Sequence, residues 1–499
     1  MPSQNTSVIA GALRVLGLTA VLLVSPIPRL GAAIRARGSG ADGVGYREVS
    51  SRIANGIDTS SYAPVGTLLF EDDAGATELL CTGTLVGCQT FLTAAHCVCP
   101  ARAMDHASCL AEGGPTDPAR LVAFFPEAGF VRVSRVAINP AYDFGVAGDL
   151  AVVKLAEPVT GIQASAIATA QAPPLGTAGV IVGYGGTGGR LNPGVGVKRT
   201  GRLSTGSCEP QAPDSTHVCW TFDAPIGPAG SDSTTCLGDS GGPLFVDLGD
   251  GDTLAGVTSF GVSDAPPFDG ECAAPKLTGD TSVFAYHTWV QTQMGRDPSG
   301  QACGALPPVG SADTVVRAES GTLNDTHPAD AWMFDVPSGA TALRIGLNAE
   351  LAHIYRDPNS REIVTIPTEF ALYVAAGRPA SSTDFDCAER RNIPFGFCAF
   401  DAPAAGTWHV RVERYGGSGT YQLTATTFGA TPLPTPGPTA GCVGDCDTSG
   451  DVTITELVTM VNLALGSGGS CAAADANQDG AVTIDEIVRA VNGALFGCG

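Results

Sequence analysis

The chain has 499 residues, and its 49 acidic against 27 basic side chains give a formal charge of −22. That balance argues against nucleic acid or an anionic membrane surface as a partner and leaves calcium as a fitting one. Abundant glycine (65) and proline (35) with 6% aromatic residues suit loop-rich β structure better than a helical protein, and the length calls for several domains.

The first element is an apolar run from Val15 to Val24, preceded by Arg14 and followed by the small residues Gly31, Ala32 and Ala33. It is too short to span a bilayer and suits a signal peptide over 1–33, so a secreted, extracellular protein with no membrane span is expected. Sixteen cysteines agree with an oxidising compartment. Residues 34–52 are rich in Gly, Arg and Ala, show no periodicity, and read as a propeptide ending at Arg52, ahead of Ile53-Ala54-Asn55-Gly56.

From residue 53 to about 300, short β-rich runs alternate with Gly/Pro/Asp turns: Gly66–Phe70, Gly83–Val86, Phe130–Val133 and Ala178–Gly185. The pattern suits paired antiparallel barrels, closed by a helix that begins near Tyr286. Three short stretches carry chemistry. Leu92-Thr93-Ala94-Ala95-His96-Cys97 offers an imidazole, and Gly148-Asp149 followed by Leu150–Leu155 offers a carboxylate at the start of an apolar strand. Cys236-Leu237-Gly238-Asp239-Ser240-Gly241-Gly242-Pro243 offers a serine on a turn of small residues. A neutral imidazole can take the serine's proton, a partly buried carboxylate can orient it, and the amides of Gly238 and Ser240 can converge on an oxyanion. The other six histidines lack such context, and none forms a zinc pattern.

In order and spacing these motifs resemble the chymotrypsin/trypsin family of serine endopeptidases. The resemblance implies a His96/Asp149/Ser240 triad, an oxyanion hole at Gly238 and Ser240, and zymogen activation by a cut after Arg52. The freed Ile53 amino group would then pair with Asp239. It further implies that Ser259-Phe260-Gly261 aligns substrate, with Phe260 where the family usually has tryptophan, and that Thr234 floors the primary pocket. A neutral floor favours Phe, Tyr, Leu or Met over Arg and Lys. Asp264, Asp269, Glu271 or Asp280 would restore basic selectivity if one of them reached in. The implied disulfides are Cys81–Cys97, Cys208–Cys219 and Cys236–Cys272. Cys88, Cys99 and Cys109 have no family counterpart, so two of them are free to pair and the third to meet Cys303.

Residues 311–429 alternate apolar and polar positions, as in Trp332–Pro337 and Ala342–Leu347, and their end, Ala402–Val412 with Gly417–Thr424, resembles the bacterial domain found C-terminal to secreted peptidases. That implies a small β-sandwich, with Cys387 and Cys398 clipping one loop; a passive spacer and a binding module are both open. Residues 430–441 are a Pro-rich, semi-rigid linker.

Residues 442–499 repeat with a period of thirty. Asp445, Asp447, Ser449, Asp451, Thr453 and Glu456 recur as Asp475, Asn477, Asp479, Ala481, Thr483 and Glu486, with Gly450 and Gly480 at the sharp turn. Both sets fit the twelve-residue EF-hand loop, each running into an amphipathic helix, so bound Ca2+ is expected. The tail resembles a dockerin-type module, which implies a cohesin-like partner; Cys442, Cys446, Cys471 and Cys498 would staple its slight core.

The fold class expected is therefore mainly β: a double antiparallel β-barrel, a β-sandwich and a small α-helical paired EF-hand module. The function expected is a secreted serine endopeptidase acting on proteins or peptides, with no cofactor for catalysis. Its rivals are a protease-like binding or scaffold protein localised by its tail, and an enzyme that prefers esters.

Overall fold

The computed structural model describes residues 53–72, 77–187, 194–223, 228–249, 251–262, 276–356, 363–390 and 393–429. In the tail it describes 443–447, 449, 452–465, 471, 473–475 and 482–496. The expected signal peptide, propeptide and linker lie outside the described residues.

Six antiparallel strands close a first barrel in the ring order Val65–Glu71, Thr77–Gly87, Thr90–Thr93, Ala151–Leu155, Gly129–Ile138 and Leu121–Phe125. These runs are rich in Val, Leu, Phe and Thr, and inward residues such as Leu68, Leu85, Phe91, Phe124 and Val152 fill the interior. A second, eight-stranded sheet runs through Ile57–Asp58, Arg199–Ser204, Ala178–Gly183, Pro243–Asp247, Asp252–Val262, Lys276–Ser282 and His217–Phe222. The short strand Ala166–Ile167 joins it in parallel. The end strand His217–Phe222 is tied back to the segment that follows Arg199–Ser204 by the isolated bridge Gly206–Cys219 and the Cys208–Cys219 disulfide, which curl this sheet into a second, barrel-like layer. Trp220, Ile181, Leu203, Leu244 and the wholly buried Ile53 form its core.

The closing helix, Val283–Met294, starts where Ser282 Oγ accepts the Ala285 N–H, and Val290 and Met294 pack on the first barrel. Asp297 then fixes the chain exit by accepting N–H bonds from Cys88 and Gln89, at 2.8 and 2.9 Å. The structure closes the cysteine choices left open by the sequence, pairing Cys99 with Cys109 and Cys88 with Cys303. Cys81–Cys97 and Cys387–Cys398 form as expected.

Residues 314–428 form two four-stranded sheets. One has the order Thr314–Leu323, Gly419–Phe428, Ala342–Ala349, Phe395–Asp401, and the other Ala329–Val336, Gly406–Gly416, Glu369–Ala376, Cys387–Glu389. Leu343, Ile345 and Leu347 from the first share a core with Leu372, Val374, Trp408 and Val410 from the second, as the alternating pattern requires. In the tail, helices Ile454–Ala464 and Ile484–Phe496 share a small core of Val452, Met460, Ala474 and Ala490.

Candidate active site

His96 sits in a single 3-10 turn, Ala95–Cys97, directly after strand Thr90–Thr93 and tied down by the Cys81–Cys97 disulfide. Asp149 precedes strand Ala151–Leu155, whose Ala151 pairs with Thr93, so the barrel ladder delivers both side chains to the same rim. The His96 backbone N–H donates to Asp149 Oδ1 at 2.9 Å, and its Nδ1 lies 2.7 Å from Oδ2. Ser259, from the second sheet, donates its hydroxyl to that same Oδ2 at 2.7 Å. Burial alone would raise the Asp149 pKa, but the His96 charge and the hydrogen bonds from His96 and Ser259 hold it below the ordinary carboxylate value. For His96 burial pulls down, yet Asp149 outweighs it, leaving the imidazole pKa raised.

Ser240 is brought to this rim by a turn clamped between the two sheets. Thr82 donates its N–H to Ser240 O at 3.0 Å and its hydroxyl to Gly238 O at 2.8 Å, while Gly241 donates to Thr258 O at 2.8 Å. Gly241 has φ +78°, and a Cβ there would fall 2.0 Å from Thr93 Oγ1, which explains why only glycine lets the serine loop come so near the His96 loop. Among the described residues neither the Gly238 nor the Ser240 N–H has an acceptor, as an oxyanion site needs. Nor does a hydrogen bond join His96 Nε2 to Ser240 Oγ among them, and substrate-free catalytic contacts are often long in this way.

Asp239 is buried and accepts N–H bonds from Gly185 and Cys236, both at 2.8 Å. Burial pushes its carboxyl up to about 6, against those two hydrogen bonds and the charges of Arg199 and Lys276. In the uncut chain the Ile53 nitrogen is a peptide nitrogen and carries no charge. Arg52 lies outside the described residues.

At the expected primary pocket, Thr234 Oγ1 lies 2.7 Å from Thr278 Oγ1, so two buried hydroxyls satisfy one another and offer no charge. Phe260 packs its ring where a Cβ on Gly279 would stand, and Gly261 faces the Lys276 side chain. Lys276 was not foreseen: its Nζ donates to Thr235 O at 2.6 Å, and burial pushes the amine down to about 8 while Asp239 pulls the other way. A basic residue two before Thr278, on the same strand face, was the available signal. Asp280 is wholly buried; burial drives its carboxyl well above the ordinary range, which favours the neutral form. Asp264, Asp269, Glu271 and Cys272 lie outside the described residues, although Cys236 is disulfide-bonded.

In the tail, carboxylate oxygens of Asp445, Asp447 and Glu456 lie within 4.8 Å of one another. Glu456 is held by N–H bonds from Cys446 and Thr453, each 2.7 Å, and Glu486 accepts the Thr483 N–H at 2.8 Å in the second loop. Three converging carboxylates, Asp445 and Glu456 among them buried, are a donor set that suits a hard cation such as calcium. Cys446–Cys471 is formed, while Asp451, Asn477, Asp479, Ala481, Cys442 and Cys498 lie outside the described residues.

Two β-barrels with a His–Asp pair on one and a serine turn on the other define a serine-hydrolase scaffold. The trypsin family pattern matches residues 68–290. Serine protease 56 from Homo sapiens is 35% identical over 240 residues, covering 44% of this chain and 36% of that protein. The Mus musculus protein of that name is 34% identical over 236 residues, covering 44% and 35%. Kallikrein-11 from Homo sapiens is 30% identical over 260 residues, 49% of this chain and 81% of that protein. The chain belongs to the trypsin family of serine proteases. It spans about a third of the two serine protease 56 relatives, and the trypsin match stops short of the sandwich and the tail. No helix among the described residues is long and apolar enough to cross a membrane.

Proposed function

We propose that this protein is a secreted serine endopeptidase, made as a zymogen and opened by a cut after Arg52. The observation that carries the reading is the convergence of His96, Asp149 and Ser259 beside a serine whose neighbouring amides, of Gly238 and Ser240, have no acceptor among the described residues. Ser240 Oγ attacks the scissile carbonyl carbon as its proton passes to His96 Nε2, and the two amides hold the oxyanion. The protonated imidazole, steadied by Asp149, gives that proton to the leaving amine as the C–N bond breaks. Water, deprotonated by His96, then cleaves the acyl-enzyme and returns the proton to Ser240.

The disulfides support export, and an apolar P1 residue fits the uncharged Thr234–Thr278 floor beside the Lys276 amine. The sandwich is an accessory domain of the kind borne by secreted peptidases. The tail binds calcium through Asp445, Asp447 and Glu456 and their counterparts Asp475 and Glu486, and its dockerin-like repeat suits a cohesin-like partner. Digestion of casein and a peptide library by the activated protein, beside a Ser240→Ala control, tests the activity. Residual turnover above roughly one per cent in the control would sink the triad, since losing a member typically costs about 10⁴-fold or more.

A further inference from the structure

We propose that the β-sandwich is a working part of the hydrolase, in which Asn348 and Gln422 position the oxyanion loop by gripping residues 195–198. The inference rests on the active site proposed above. Val195 Cγ1 lies 3.6 Å from where a Cβ of Gly238 would stand, so this segment forms the backing of an oxyanion donor. Its neighbours tie it to the same turn: Gly186 donates its N–H to Leu237 O at 2.9 Å, and Gly196 donates to Tyr184 O at 2.8 Å.

The outer side of the segment is held by the sandwich through its backbone polar groups. Leu351 donates its N–H to Val195 O at 2.8 Å, and Asn348 Nδ2 donates to Gly196 O at 3.0 Å. Gln422 Oε1 accepts the Lys198 N–H at 2.9 Å, and its Nε2 donates to Lys198 O at 2.9 Å. The side-chain amide thus takes the place of a neighbouring strand's peptide. Asn348 Nδ2 also donates to Gln422 Oε1 at 2.8 Å, linking the two amides into one network. Both side chains are buried, so these bonds act where water cannot substitute for them. Gly196, at φ +105°, has no room for a side chain, because a Cβ would sit 2.3 Å from Ala349 O. A domain serving only as a spacer needs no such grip. The other half of the interface supplies adhesion by itself, with Phe395 tilted on Phe124 at 5.1 Å and Arg344 bonded to Thr160.

The test compares Asn348→Ala, Gln422→Ala and Arg344→Ala in the activated full-length protein, reading kcat, KM, melting temperature and amide exchange at 195–198 and 238–240. A misplacement of about 1 Å costs on the order of 100-fold in rate. Asn348→Ala and Gln422→Ala should therefore lower kcat about tenfold or more with KM within about twofold, and speed exchange at both segments. Arg344→Ala should lower the melting temperature and leave kcat alone. Unchanged kcat in the two amide variants, or an equal loss in Arg344→Ala, overturns the proposal. If the amide variants do not fold, Val195→Ala decides: it should lower kcat, and unchanged kcat overturns the proposal. A wild-type protein without turnover refutes the protease reading instead, and exchange at 238–240 then decides whether the sandwich steadies the loop.

Discussion

Ser259 and Asp149, from different barrels, share a hydrogen bond of 2.7 Å on the same carboxylate oxygen that faces His96 Nδ1. The imidazole is therefore oriented jointly by the two barrels. A hydrogen bond to a charged group contributes about 1.5–3 kcal/mol, so Ser259→Ala should lower kcat/KM by roughly tenfold. Steady-state kinetics on a peptide ester and amide check this, and unchanged rates would show that the hydroxyl merely packs.

The pH profile follows from the raised imidazole pKa. His96 acts as base only when unprotonated, so activity appears as pH rises through that value, and the acid limb of kcat/KM should lie above the ordinary histidine value of about 6.5. Asp149→Asn removes the charge that raises it. The limb should move to lower pH while the rate drops by about 10⁴-fold. An acid limb that stays put in Asp149→Asn would assign it to another group.

Activation is tested at Asp239. Arg52→Gln should stay inactive, the active form should begin at Ile53, and Asp239→Asn should stay inactive even after the cut. In the uncut chain the carboxyl titrates at about 6 against an unfolded value of about 3.9, so the folded state binds the proton more tightly. Stability of Arg52→Gln should then rise as pH falls from about 6 towards 4. In the cut form the Ile53 amine should favour the ionised carboxylate and remove that rise. Melting curves across this range separate the two states, and identical profiles would count against the ion pair.

Substrate choice follows from the Thr234–Thr278 floor and the Lys276 amine. Cuts should fall after Phe, Tyr, Leu or Met, with Arg and Lys disfavoured by at least about tenfold. Because burial favours the neutral form of Asp280, Asp280→Asn should leave this preference as it is. A library cut almost solely after Arg or Lys would reverse the assignment.

Calorimetry on the full chain should show calcium binding with micromolar or weaker affinity and two sites, one lost in Glu456→Gln and the other in Glu486→Gln. Peptidase activity should survive chelation, since both loops lie beyond the linker. Absence of any calcium heat would refute the tail assignment.

The barrel strands and the position of the serine turn were legible because each needs only a short local pattern: alternating apolar runs, a serine among glycines, a carboxylate leading an apolar strand. The grip of the sandwich was not legible. Asn348 lies between Leu347 and Ala349, and Gln422 between Tyr421 and Leu423, where each resembles an ordinary polar position on a strand. Their meaning depends on which backbone docks against them, a long-range fact that no spacing encodes. Lys276 escaped for a related reason, since only the fold turns its amine towards Thr235 O.

The disulfides also decide what becomes of the segment ahead of Ile53. The earliest cysteine in the sequence is Cys81, so no bridge can reach back into residues 1–52. The proposed cut after Arg52 would leave that piece with no covalent leash. On the secreted-zymogen reading proposed above, that piece would diffuse away outside the cell and activation would run one way, with nothing at hand to reseal the switch.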